Sequence, residues 1–125
     1  NCVNYEELQE ELMDRFGEYP DVVAYLLEIG LVKSYLDKVF VERVERKENK
    51  ITVQFEKVTQ RLFLAQDYFK ALSATNLKAA IAENKGLMEV VFDVRNKKDY
   101  EILEGLLIFG ESLLEIKVSK EGNSL

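Results

Sequence analysis

Histidine is absent from all 125 residues. With it go the commonest general base, the commonest side-chain metal ligand and every nucleophilic triad built on imidazole. The one cysteine, Cys2, can neither close an internal disulfide nor assemble a cysteine-rich zinc site, and it suits a reducing, cytoplasmic setting. No stretch approaches the roughly 18 consecutive apolar residues of a membrane span, and no charged start leads into an apolar run of signal-peptide type. No membrane partner is therefore expected. Phosphate cradles are missing too. There is no G-x-x-x-x-G-K-[ST], and the glycines at 17, 30, 86, 105, 110 and 122 never fall into G-x-G-x-x-G spacing. A basic surplus is also lacking: 17 Lys and Arg stand against 23 Asp and Glu, a formal charge of −6. A surface that tracks nucleic-acid phosphates is not on offer, and no direct nucleic-acid binding is expected. No cofactor, metal or catalytic residue is expected in this chain.

What is present is a chain of one domain's length, residues 1–125, with 47% apolar residues to fill a single core. Its charge is unevenly placed. Residues 1–38 hold nine acids against three bases, Arg15, Lys33 and Lys38, while the remainder is balanced, so the whole imbalance lies in the N-terminal third.

Asn4 followed by Glu7 reads as a capping box, and Tyr5, Leu8, Leu12 and Phe16 then recur at helical spacing before Gly17, which predicts a helix over about 5–16. Pro20 sits where a second helix should begin, with Asp21 in its first turn. Val22, Leu26, Ile29, Val32 and Leu36 mark its main buried stripe, widened by Val23, Leu27 and Leu31; a stripe so broad implies contact on two sides. Gly30 is either a break or a point of close approach.

The pattern then changes period. Val39 to Arg46 and the alternating Ile51, Val53 and Phe55, separated by Lys47-Glu48-Asn49-Lys50, predict a hairpin. A second hairpin pairs Leu77, Ala79 and Ile81 with Met88, Val90, Phe92 and Val94 about a turn at Glu83-Asn84-Lys85-Gly86. Each is followed by a helical segment, at about 66–74 and 97–109. The ββα order thus occurs twice, as an internal repeat or as common supersecondary economy, with the second preferred. Leu114, Ile116 and Val118 fit a short last strand or a helical continuation after Gly110, and Glu121 to Ser124 read as a frayed tail. The expected architecture is α+β: two leading helices and an antiparallel sheet of about four strands covered by helices.

Candidate chemistry is sparse. Gly110-Glu111-Ser112 begins like a nucleophile elbow but continues Leu113-Leu114, and Ser112 has no histidine to serve it. Tyr68 with Phe69, or Phe40 with Phe55, could be taken for stacking platforms, yet aromatics at helical and strand spacing are more commonly core. The first helix stands apart. At 100° per residue, Glu7, Glu10, Glu11 and Asp14 cluster opposite Tyr5, Leu8, Leu12 and Phe16. Glu6 and Glu7 lie in a first turn, where the helix dipole favours acids; Glu11 and Asp14 lie beyond it, and near the helix end the dipole opposes Asp14. An ordinary solvated face explains such a stripe. So does a landing surface for the arginines of another domain, where bidentate pairing gives geometric specificity.

The run ELQEELMDRFGEYPDVVAYLL, residues 7–27, resembles the C-terminal domain of the bacterial transcription-repair coupling factors, the Mfd family. Its core is E-L-x-D-R-F-G-x-x-P, here Glu11, Leu12, Asp14, Arg15, Phe16, Gly17 and Pro20, and the likeness extends to about Leu36. Beyond that it is one of element order rather than motif. The resemblance implies that the chain is a terminal regulatory domain of a larger ATP- and magnesium-dependent translocase on duplex DNA, which displaces stalled RNA polymerase and recruits UvrA. It further implies that this domain packs on the UvrA-binding module of the same protein and hides it at rest. By family position Glu11 and Asp14 match the docking contacts to arginines, and Glu7 and Glu10 extend that face. Arg15, Phe16, Gly17 and Pro20 match the structural motif, with Phe16 as core and Gly17 as a left-handed cap. A free-standing acidic adaptor is the alternative, and an enzyme would need a cleft with convergent carboxylates.

Overall fold

The computed structural model describes residues 21–123. The expected first helix, with Glu7, Glu10, Glu11, Asp14, Arg15, Phe16, Gly17 and Pro20, lies outside the described residues. Helix α1 spans Val22–Lys38. Asp21 is its N-cap rather than a first-turn residue: its backbone is extended, and its carboxylate accepts from the Ala24 amide at 3.1 Å, satisfying a donor that the helix cannot. The buried face is Tyr25, Ile29, Val32 and Leu36. This corrects the expected stripe, since Val22 and Leu26 are more than 40% exposed and Val23, Leu27 and Leu31 stand on the opposite side. Gly30 is neither break nor close approach; nothing lies within 4 Å of where its Cβ would be. The helix ends at Val39, and Phe40, at φ 63°, reverses the chain.

Strands β1 (Val41–Lys47) and β2 (Lys50–Phe55) form the first hairpin, with Glu48 at φ 55° in its two-residue turn. Strands β3 (Lys78–Asn84) and β4 (Leu87–Asp93) form the second. Its turn is Lys85-Gly86 alone, at φ 54° and 82°, so Glu83 and Asn84 belong to the strand. Both turn residues have positive φ, as a type I′ hairpin turn demands. The sheet order is β1-β2-β4-β3, antiparallel throughout, with the two second strands joined at the centre. Val44, Ile51, Val53, Phe55, Val90 and Phe92 are fully buried on one face, as alternation requires. The other face is polar, and there the Gln54 amide donates to Glu89 at 2.8 Å.

A four-residue helix unforeseen in the sequence, α2 (Thr59–Leu62), precedes α3 (Ala65–Ser73). The last element, α4 (Asp99–Asn123), has 25 residues, so the continuation past Gly110 is helical, the last strand does not form, and Glu121 and Gly122 are not frayed. The reason lies at Gly110 itself, where a Cβ would stand 3.0 Å from Tyr35 Cβ and 3.3 Å from Leu36 Cδ2. This glycine lets α4 lie close against α1 and does not end a helix. Phe109, one residue earlier, meets Phe92 at 5.3 Å and Phe55 at 6.3 Å, edge to face, and Phe55 meets Tyr68 at 5.2 Å. The core therefore lies between the sheet and the layer of α1, α3 and α4, and the molecule is α+β.

Candidate interaction surfaces and family relationship

Ser112 lies in the interior of α4, not on the strand-to-helix turn that an elbow needs. It borders a cleft of about 530 Å³ between α3 and α4, whose Lys120 is held by Asp67 at 3.1 Å. Asp67 also accepts from the Leu64 amide at 2.8 Å and so fixes the start of α3. Phe55 and Tyr68 are core, Phe69 is exposed, and the ring of Phe40 carries the Lys117 ammonium at 5.3 Å. In each proposed pair one ring is thus buried in the core. Among the described residues no three acidic or cysteine side chains come together as a metal site, and no helix is long and apolar enough to cross a membrane.

Among the described residues charge is most deeply buried at Arg46 and Asp99. The Arg46 guanidinium on β1 lies 3.6 Å from the Asp99 carboxylate at the start of α4, with both side chains at most 5% exposed. Tyr25 of α1 joins them, and its phenol is pushed up to about 12, first by burial and then by the negative charge of Asp99. This cluster ties three elements together, and nothing in residue spacing announced it.

A second arrangement is on the surface. Tyr35 donates to Glu111 at 3.4 Å, and Glu28 lies within electrostatic reach of Glu104, so positions seven apart on α1 face positions seven apart on α4. The two helices thus run parallel, and Glu28, Glu104 and Glu111 form an acidic row along their seam. Burial first, and Glu104 second, raise the Glu28 carboxyl above its ordinary range. None of the three makes an ion pair with another described residue.

The family model described as the TRCF domain matches residues 2–66, more than half of the chain. The chain belongs to the TRCF domain family. That match takes in the E-L-x-D-R-F-G-x-x-P segment, α1, the first hairpin and α2, and ends before the second hairpin. The TRCF chain is also similar to a solved structure, the crystal structure of the C-terminal domain of transcription-repair coupling factor. The two are 92% identical with a TM-score of 0.77, over 96% of this chain and 74% of the other. No curated protein matches. The resemblance drawn from residues 7–27 is thereby borne out.

Proposed function

We propose that this TRCF domain is a non-catalytic regulatory unit of a transcription-repair coupling translocase, docking on the UvrA-binding module of the same protein and masking it. Residues 1–125 form one terminal domain in this reading. Glu7, Glu10, Glu11 and Asp14 supply the docking face, and Arg15, Phe16, Gly17 and Pro20 shape the segment that presents it. The observation that carries the proposal is the family match across residues 2–66, which includes that acidic face in full. Its support from physical chemistry is the N-terminal third, whose acids outnumber bases by six and suit reversible pairing with arginines. ATP, magnesium and duplex DNA are engaged elsewhere in the parent, and UvrA and RNA polymerase are reached through it, in the cytoplasm.

Masking is a competition between an internal and an external partner, so removing the internal one must favour the other. Deleting residues 1–125 from the parent should raise its affinity for UvrA. Equal UvrA binding by the intact and truncated proteins would refute masking.

A further inference from the structure

Helix α1 is apolar on two sides, and among the described residues only one is used by the core. Opposite Tyr25, Ile29, Val32 and Leu36 run Val23, Leu27 and Leu31, exposed by 67%, 66% and 49%. With Tyr35 they repeat every fourth residue, an inclined track that rises about 18 Å, at 1.5 Å per residue, while winding toward α4. The track then passes onto α4, where Leu114 and the exposed Val118 join Tyr35 in lining a groove of about 470 Å³. Gly30 leaves open space beside it. Along the α4 side the track is bordered by Glu28, Glu104, Glu111 and Glu115, none of them ion-paired with another described residue.

An apolar track of this length with one acidic border is complementary to an amphipathic helix of three to four turns, with apolar residues on one face and Lys or Arg along one flank. Such a partner would neutralise the row that Glu28 and Glu104 leave repelling one another. Its source is indicated by length: about a quarter of the solved relative's chain has no counterpart here, although 96% of this chain is matched. We propose that the α1–α4 seam seats a basic amphipathic helix contributed by that further polypeptide of the same domain. The inference stands apart from the docking of Glu7, Glu10, Glu11 and Asp14, none of which takes part.

The test is thiol labelling in a Cys2→Ser background with Leu27→Cys, in this chain and in the chain extended to the length of the solved relative. A seated helix should slow labelling about tenfold or more in the extended chain, because the thiol reacts only when the helix lifts away. Glu28→Lys combined with Glu104→Lys should bring the rate back toward that of the shorter chain. Lys33→Cys, on the flank away from α4, should label equally in both. Equal rates at position 27 would overturn the proposal. Slow labelling that withstands the charge reversal would overturn the basic character of the occupant. Labelling of the shorter chain that falls with its own concentration would assign the track to a second copy instead.

Discussion

Arg46 and Asp99 are a buried pair whose desolvation is tolerable because each has an opposite charge at hand. Tyr25 is held protonated beside them, which couples stability to pH at the alkaline end. Its phenol titrates at about 12 in the fold and at the ordinary value of 10.0 otherwise, so between these the unfolded chain releases a proton that the fold retains. The stability it contributes is intact below the lower value and is lost as pH rises through the upper one. Tyr25→Phe should accordingly show a smaller fall in denaturation midpoint than the parent chain between about pH 9 and about pH 11. A parallel decline in both proteins would remove Tyr25 from the account. The acidic face offers the other test at this scale. Glu11→Arg or Asp14→Arg should shift stability by no more than about 0.5 kcal/mol, as surface substitutions do. Docking on the UvrA-binding module should weaken by about 2 kcal/mol or more, since attraction is replaced by repulsion. Partial rescue by an arginine-to-glutamate change on the module would complete the pair. If the melting temperature falls together with binding, the two acids are structural.

At the scale of elements the same residue type works in opposite senses. Gly30 is mid-helix and exposed with nothing near it, so Gly30→Ala should stabilise by about 0.5–1 kcal/mol through reduced chain entropy. Gly110 is also mid-helix, yet its missing side chain is the space that Tyr35 and Leu36 occupy, and Gly110→Ala should destabilise by about 1–3 kcal/mol. Urea denaturation of the two variants checks both signs, and a stabilised Gly110→Ala would mean that α1 and α4 can part without cost. Such pairs show why sequence pattern goes only so far. The hairpins were legible because alternation in Ile51, Val53 and Phe55, or Val90 and Phe92, has only one burial solution. The α1 faces were not, because Leu26 and Ile29 look alike until α4 is in place. At Gly110 the pattern leaves a short strand and a helical continuation both open, because glycine ends helices as readily as it admits a neighbour. Of the candidate docking face, the acidic stripe and its motif were legible without a fold, whereas the acidic row Glu28, Glu104 and Glu111 exists only once α1 and α4 lie side by side.

Among the described residues of the whole molecule neither half has a core of its own. The central pairing joins β2 to β4, so each hairpin supplies one inner strand, and the apolar faces of Ile51 and Val53 continue directly into Phe92 and Val90. Phe109 from the second half fills the space between Phe92 and Phe55, one ring from each half, and α1 reaches across to pack on α4. Cutting between α3 and β3 would thus leave each fragment with a two-stranded sheet and an open apolar face, which is marginal in water at best. Fragments 21–75 and 76–125 should each lack the near-ultraviolet circular dichroism of packed aromatic rings when alone. On mixing in equal amounts they should recover it, because the β2–β4 seam and the Phe55–Phe109–Phe92 stack form only between them. The joined chain, sharing one core, should unfold in a single transition that tyrosine fluorescence and far-ultraviolet circular dichroism report alike. A folded 21–75 fragment, or two separated transitions in the intact chain, would mean that the first hairpin and its helices carry a core independent of Phe92 and Phe109.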